Sequence, residues 1–382
     1  MKFSRNEKSN PEKNRKRLVH PGMPIVLGIL SFFCIASLIG DTGFAQTYSP
    51  TERRKLASLP KMDVENVLDG SGGNALERYT TDHVFGREEL LRVNAWMASG
   101  LYGSKEQNGL IAKEGKILSV QRKIDKKSLD HARDVFSSIY ETDLKDTQCA
   151  LYDSIVPDKS YFLKTGEYLN MDYEAYLAQA QSVFSFASEI PIASTLSLDD
   201  YYATDPHWRQ EAILEQARTI ATAMGVKLAE DFTEETIREN FTAQQGLQSV
   251  WPHKGDTLKV LKSPSMSGWT IWRYDEKGKR QGTLYDRTKA EGEDPYSVFL
   301  SGSAGMIEIE NPDGPKDRQL VLFADSYGSS MAPLLATGYS RTTIIDLRNL
   351  PSFRLKSMID FSRQDVLFLY STSVLNASYN LK

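Results

Sequence analysis

LVLFADSYGSSMAPLLA, residues 320–336, decides the reading of the fold. It is apolar from Leu320 to Phe323, breaks at Ala324-Asp325-Ser326-Tyr327-Gly328, and continues as a helical pattern. That is a strand, a sharp turn and a helix start. A serine in such a turn sits at the carboxyl end of a strand, where open α/β sheets place their sites. The N–H groups of the following helix lie beside it, suited to holding an oxyanion. The same pattern also arises when Ser only caps a helix, and the stretch alone does not separate the two.

The segments around it repeat the rhythm. Residues 343–347 and 366–370 are short apolar runs that suit buried parallel strands. Helices are expected over 329–337 and 353–361. Upstream, a strand starts at Ser154 and is interrupted by Pro157, a helix follows over 172–189, and residues 189–196, EIPIASTL, read as another strand. Within residues 121–150, Leu129, Ala132, Val135, Phe136 and Ile139 form one helical face. Residues 108–120 read as a hairpin turning at Lys113-Glu114-Gly115-Lys116, and a helix is expected over 87–97. Residues 225–319 are the least regular, with β-like pieces such as GWTIWRY and KRQGTLYD. Alternating strands and helices predict an α/β fold, a mostly parallel sheet flanked by helices.

The chain has 382 residues, 40% hydrophobic and 25% charged, with a formal net charge of -4. It is long enough for a large core without staples, and its mild acidity argues against a nucleic-acid partner. Its two cysteines, Cys34 and Cys149, make no disulfide framework, and Cys149 reads as a buried structural thiol. The five histidines are scattered, without a metal-ligand spacing. No nucleotide or coenzyme A site is legible, so no cofactor is expected.

The amino terminus carries a location signal. Residues 1–23 are polar and basic, ending in Lys13-Asn14-Arg15-Lys16-Arg17 and a short spacer. Residues 24–40, PIVLGILSFFCIASLIG, are uncharged, at the short end for a membrane-spanning helix. The positive-inside rule would keep the basic end cytoplasmic and put everything after Gly40 outside. The other reading is a cleaved signal peptide, with Gly43-Phe44-Ala45 as its cleavage site. The long basic segment and long apolar run favour an anchor, and both readings export the rest. Residues 41–60 then form a linker and 61–382 an extracytoplasmic domain.

A second stretch bears on Ser326. Thr204-Asp205-Pro206-His207-Trp208 places Asp and Pro as a helix-start pair. The helix expected after it would bury Trp208, Ala212, Ile213, Ala217, Ile220 and Met224. His207 would then lie in the first turn, where the dipole favours an uncharged ring, the form a general base needs. Asp205 is placed to hold its other ring nitrogen. The bland alternative is a capping Asp and a surface His. His253, after Trp251-Pro252, is a competing base without an acid at comparable spacing.

These segments together resemble the DHHW family of exported bacterial proteins and, more distantly, the SGNH-like catalytic domains of alginate O-acetyltransferases. The name motif is matched in Thr204-Asp205-Pro206-His207-Trp208 and the serine block in Phe323-Ala324-Asp325-Ser326-Tyr327-Gly328. Supporting matches are residues 51–60, 82–87, Val156-Pro157-Asp158-Lys159, Asp294-Pro295-Tyr296 to Leu300, and Ile345-Asp346-Leu347-Arg348. The resemblance implies an SGNH-hydrolase-like (flavodoxin-like) fold. It implies a triad of Ser326 as nucleophile, His207 as base and Asp205 as orienter, working through an acetyl-enzyme. Tyr327 N–H and Ser303 would bind the oxyanion. Ser303 stands where the family often has Asn, and losing one such donor typically costs about 10²–10³ in rate. Pro206 replaces the family's first His, and Ala324 a residue that is usually basic. The implied substrate is a cell-surface or secreted polysaccharide, acetylated with acetyl from a multi-pass membrane-bound O-acyltransferase. A carbohydrate esterase and a non-catalytic glycan-binding protein remain the alternatives. Tyr201, Tyr202, Trp208 and Tyr327 would line an exposed cleft for sugar faces, unless they belong to the core, and Arg348 is a further substrate-binding candidate.

Overall fold

The computed structural model describes residues 22–39, 47–49, 54–61, 63–101, 103, 106–164, 166, 168–249, 251, 253–275 and 278–382. The chain divides into two compact units, residues 1–94 and 95–382. In the first unit an uncharged helix covers Gly22–Ile39. Among the described residues no helix is long and apolar enough to cross a membrane. Residues 41–46 and 50–53 of the expected linker lie outside the described residues, as does the Gly43-Phe44-Ala45 cleavage site. Tyr48–Ser49 and Arg54–Lys55 pair antiparallel, and helices follow at Val64–Leu68 and Ser71–Asp82. The Asp82 carboxylate accepts the Ala57 N–H at 2.8 Å, tying the last helix back to the extended segment.

The second unit is built on one sheet of eight strands. Its parallel half runs, side by side, Arg341–Ile345, Gln319–Ala324, Asp365–Ser371, Ala150–Val156 and Ser188–Glu189. The other side is antiparallel: Met306–Glu310 on Arg341–Ile345, then Thr270–Asp275 and Gly278–Gln281. The sheet is therefore mixed, and the irregular region 225–319 supplies its antiparallel edge.

Strand periodicity sorts the core into two layers. Leu320, Leu322 and Ala324 join one apolar cluster with Leu367 and Leu369. Val321 and Phe323 join the other with Val366, Phe368 and Tyr370. Helix Tyr327–Leu335 packs in the first layer through Met331, Leu334 and Leu335, and Leu214–Ala223 through Ala217 and Ile220. Helix Lys126–Ile139 buries Leu129, Ala132, Phe136 and Ile139 in the second, where Phe136 meets Phe184 and Phe368 edge to face or tilted. Each such fully buried large side chain contributes roughly 1.5–3 kcal/mol.

Chain direction explains where a site can form. From Ala150–Val156 the chain crosses through Tyr173–Gln181 to Ser188–Glu189 at the far edge. From Gln319–Ala324 it crosses through Tyr327–Leu335 to Arg341–Ile345 in the opposite direction. Crossovers of one hand running in opposite directions put their helices on opposite faces, as the two layers show. In open α/β sheets sites form between such helices, at the carboxyl ends of the strands.

The hairpin is Leu110–Lys113 against Lys116–Ser119, with Glu114 and Gly115 both at positive φ in the turn. Residues 353–361 form only a short Leu355–Met358 helix after a 3₁₀ turn, and EIPIASTL pairs only at its first residue. Cys149 is half-buried, its thiol donating to Gln364 at 3.5 Å. The largest departure is the Asp205-Pro206 segment. No helix starts there: residues 201–208 form a tight loop closed by a Tyr201–Trp208 bridge, and the helix is Leu214–Ala223. Pro206 fixes its own φ, and the Asp205 carboxylate accepts the His207 N–H at 2.9 Å. This is an Asx turn, a use of Asp-Pro that competes with helix capping.

Candidate active site

Ser326 follows Ala324 and Asp325 at the carboxyl end of the central strand and opens helix Tyr327–Leu335. It is half-exposed between buried neighbours. Asp325 holds the turn: it accepts from Tyr327 N at 2.9 Å, and from Ser371 N and Oγ at 2.8 and 2.6 Å. Gly328 lets the chain return close to the strand, since a Cβ there would lie 2.3 Å from Ala324 Cβ. The Ser326 N–H has no acceptor among the described residues.

The 201–208 loop meets this turn from the side. His207 Nε2 lies 2.7 Å from Ser326 Oγ, and His207 Nδ1 lies 2.6 Å from Asp205 Oδ1. Burial by itself would push the Asp205 carboxyl up. The charge and hydrogen bonds of His207, its N–H and the charge of Lys159 outweigh burial and hold it below the usual carboxylate range. An ionised carboxylate only accepts, so Nδ1 carries the proton and Nε2 faces Ser326 with its lone pair. The His207 ring stacks on Tyr296, centroids 3.9 Å apart, and lies tilted against Tyr327 at 4.9 Å. With no helix start at His207, its orientation comes from these contacts and not from a helix dipole.

The loop is pinned along its backbone. Asp256 accepts from Ala203 N, Thr204 N and Thr204 Oγ1 at 2.6, 2.8 and 2.5 Å. Ile117 N donates to Ala203 O at 2.8 Å, Lys116 Nζ to Tyr201 O at 2.8 Å, and Gly246 N to Thr204 O at 3.2 Å. Trp208 Nε1 donates to Ser330 Oγ at 2.8 Å and Gln210 Nε2 to Ser330 O at 2.8 Å, which dock the loop on the Ser326 helix.

The other candidates fall elsewhere. Tyr201, Tyr202 and Trp208 are fully buried and belong to the core rather than to an exposed cleft. Their rings match the apolar core alternative, because the loop that carries them is packed on both sides. Tyr327 is buried as well, its hydroxyl donating to Pro206 O at 2.7 Å and its N–H committed to Asp325. Arg348 grips Asp346 through Nε and Nη2 at 2.9 and 2.8 Å; burial opposes its charge, and the hydrogen bonds and charge of Asp346 more than restore it. Ser303 is exposed, and its carbonyl accepts from Arg273 at 2.9 Å. It follows Leu300, Ser301 and Gly302, all at positive φ. Among the described residues His253 makes no hydrogen bond with any of these, its Nδ1 lying 3.4 Å from Lys254 O.

Sequence reasoning on single residues missed Tyr296, Asp256 and Lys159. Each acts across tens of residues, and no local periodicity marks it. Tyr296 and Lys159 lie within segments that the family resemblance picked out, without a role.

No protein-family model and no curated protein matches the chain by sequence. Solved structures match by shape. A DHHW family protein from Eubacterium siraeum superposes with a TM-score of 0.57 at 20% identity, covering 71% of this chain and 93% of that one. PatB1 of Bacillus cereus, solved with a sulfonyl adduct, superposes with a TM-score of 0.57 at 16% identity, covering 70% and 95%. The O-acetyltransferase domain of Pseudomonas putida AlgJ matches with a TM-score of 0.39 at 12% identity. The chain shares its mixed α/β fold with the first two.

Proposed function

We propose that the protein is an acyl-transfer enzyme in which Ser326 is the nucleophile, His207 the general base and Asp205 the residue that orients it. The observation that carries this reading is the unbroken hydrogen-bonded line Asp205–His207–Ser326, at 2.6 and 2.7 Å, ending on the hydroxyl of a half-buried serine. His207 Nε2 takes the Ser326 proton as Oγ attacks the acyl carbonyl, and returns it to the leaving group. The Ser326 N–H, free of other acceptors among the described residues, is the oxyanion donor we assign. An acceptor hydroxyl then gives its proton to His207 and attacks the acyl-enzyme; the acyl–Oγ bond breaks and His207 returns the proton to Ser326 Oγ. The sulfonyl adduct in the similarly folded PatB1 supports the reading, because sulfonyl reagents take a covalent bond from an activated hydroxyl.

For the substrate we propose acetyl as the acyl group and a polysaccharide hydroxyl as the acceptor, outside the cytoplasmic membrane. The basic residues ahead of the uncharged Gly22–Ile39 helix support export of the following domain. The donor acetyl would come from a multi-pass membrane-bound O-acyltransferase.

The test is covalent labelling with a sulfonyl fluoride followed by peptide mass spectrometry. The wild type is expected to carry the label on the Ser326 peptide, and Ser326→Ala and His207→Ala to lose it. Equal labelling of wild type and Ser326→Ala overturns the assignment. Incubation with an acetyl-ester donor and oligosaccharides then reads the reaction. Acetylated oligosaccharide marks a transferase, and free acetate alone marks an esterase.

A further inference from the structure

Beneath the 201–208 loop lies an ionisable group that the acyl-transfer reading leaves unused. Lys159 is 2% exposed, and among the described residues it makes no ion pair. Its Nζ donates to the carbonyls of Ile117, Tyr202 (3.2 Å) and Ala203 (3.5 Å). The adjacent carboxylate does not neutralise it. Asp158 is taken by the hydroxyls of Tyr173, Thr372 and Ser160, all at 2.7 Å. A buried ammonium group is costly, and carbonyl dipoles offset only part of that cost. A clamp between two loops needs donors, which an amide or hydroxyl supplies without the charge. The charge therefore calls for its own explanation.

We infer that Lys159 is a positioning residue for the reaction: its ammonium group ties the 116–119 strand to the 201–208 loop and sets a positive charge against Asp205. Two of its carbonyl acceptors, on Tyr202 and Ala203, come immediately before Thr204 and Asp205 in the loop. The Tyr202 N–H in turn donates to His207 O at 3.1 Å, closing the same loop. The charged groups facing Lys159 are Asp205, Asp256, Lys116 and Asp158. Burial, opposed only in part by the charges of Asp205 and Asp256, leaves the ammonium pushed down to about 7. Reciprocally, its charge helps hold Asp205 ionised. An ionised Asp205 keeps the proton on Nδ1 of His207 and leaves Nε2 open to Ser326.

This inference rests on the acyl-transfer reading, and sulfonyl labelling separates the two. Failure of the wild type to label Ser326 would sink that reading. Given labelling, the second-order rate is measured from pH 5 to 9 for wild type, Lys159→Met and Lys159→Arg of the full chain. Lys159→Met is expected to slow labelling about tenfold or more, as a displaced reactive group does. Its acid limb should move up, because the lost positive charge had helped hold Asp205 ionised. Lys159→Arg restores most of both. A Lys159→Met rate within about twofold of wild type and an unmoved limb overturn the inference. So does an equal loss in both variants with unmoved limbs, which is packing alone. Should Lys159→Met lack a cooperative unfolding transition, Lys159→Arg decides. Its permanent charge predicts a limb at or below that of wild type, and a higher one overturns the inference.

Discussion

His207 lies flat on Tyr296, with the two ring planes 5° apart and their centroids 3.9 Å apart. Tyr296 is itself held from behind, its hydroxyl donating at 2.7 Å to Ser330 Oγ, which also receives Trp208 Nε1. The stack thus fixes the imidazole plane relative to the helix that carries Ser326. An aromatic pair of this kind contributes about 0.5–1.5 kcal/mol beyond its buried area. Replacing Tyr296 with Leu removes the stack and is expected to slow sulfonylation of Ser326 about three- to tenfold. Tyr296→Phe keeps the ring and stays near wild type. Equal rates for Leu and Phe would show that the stack does not position the base.

Asp205→Asn tests the tautomer. An asparagine amide turned towards Nδ1 strips the ring of its acceptor, and such changes in triads cost about 10⁴ in rate. Labelling of Ser326 should fall by about that order, with the fold intact by circular dichroism. The stability effect has a defined sign. The folded carboxyl is held low, so its contribution is present above the unfolded value of about 3.9 and is lost as pH falls through the folded one. Asp205→Asn should flatten that acid-side fall in urea midpoint.

The turn at Leu300, Ser301 and Gly302 has φ of 56°, 60° and 85°. Left-handed backbone costs roughly 1–2 kcal/mol at a non-glycine residue. Arg273, 5% exposed, spans the turn by donating to the carbonyls of Leu300, Gly302 (2.7 Å) and Ser303 (2.9 Å). Ser301→Gly relieves the strain and should raise stability by up to about 1 kcal/mol. Leu300→Gly also empties a fully buried site and should lower it by about 2 kcal/mol or more. Arg273→Ala leaves three carbonyls without their donor and should cost about 2–4 kcal/mol. Urea midpoints of the three variants check the order.

Asp153 lies fully buried on the Ala150–Val156 strand, with Gln181 Nε2 3.3 Å from both its oxygens. Burial pushes its carboxyl up to about 7, and Gln181 opposes this only in part. Between about 4 and about 7 the folded state therefore binds more protons than the unfolded one, and stability falls as pH rises. Asp153→Asn removes the charge. It should raise stability at pH 8 by on the order of 2 kcal/mol, with little gain at pH 4. Matching gains at both pH values would contradict the account.

Much of the scaffold is legible in the residues because its periodicities are local. Leu320 to Phe323 reads as a strand because it is a short apolar run ended by turn residues, and the Asp-Ser-Tyr-Gly break is a turn in which Gly328 passes close to Ala324. The 129–139 face and the Glu114-Gly115 turn are equally local. Asp205-Pro206 misleads for the same reason. Its dipeptide suits both a helix start and an Asx turn, and local energies nearly balance. Asp256, about fifty residues on, tips it by taking the N–H groups of Ala203 and Thr204.

By itself the sequence determined the alternating α/β plan, the serine at the end of a buried strand, and the Asp-x-His spacing that lets one carboxylate reach both the N–H and the Nδ1 of the same histidine. Only the tertiary structure decided the antiparallel edge of the sheet and the burial of Tyr201, Tyr202 and Trp208. It alone set His207 on Tyr296 and brought Nε2 within 2.7 Å of Ser326 Oγ across 119 residues. The reason is the range of the forces involved. Turn and strand preferences act over a few residues. Stacking, clamping by Lys159 and Asp256, and the electrostatic hold on Asp205 depend on groups that meet only when the sheet and its two layers have closed.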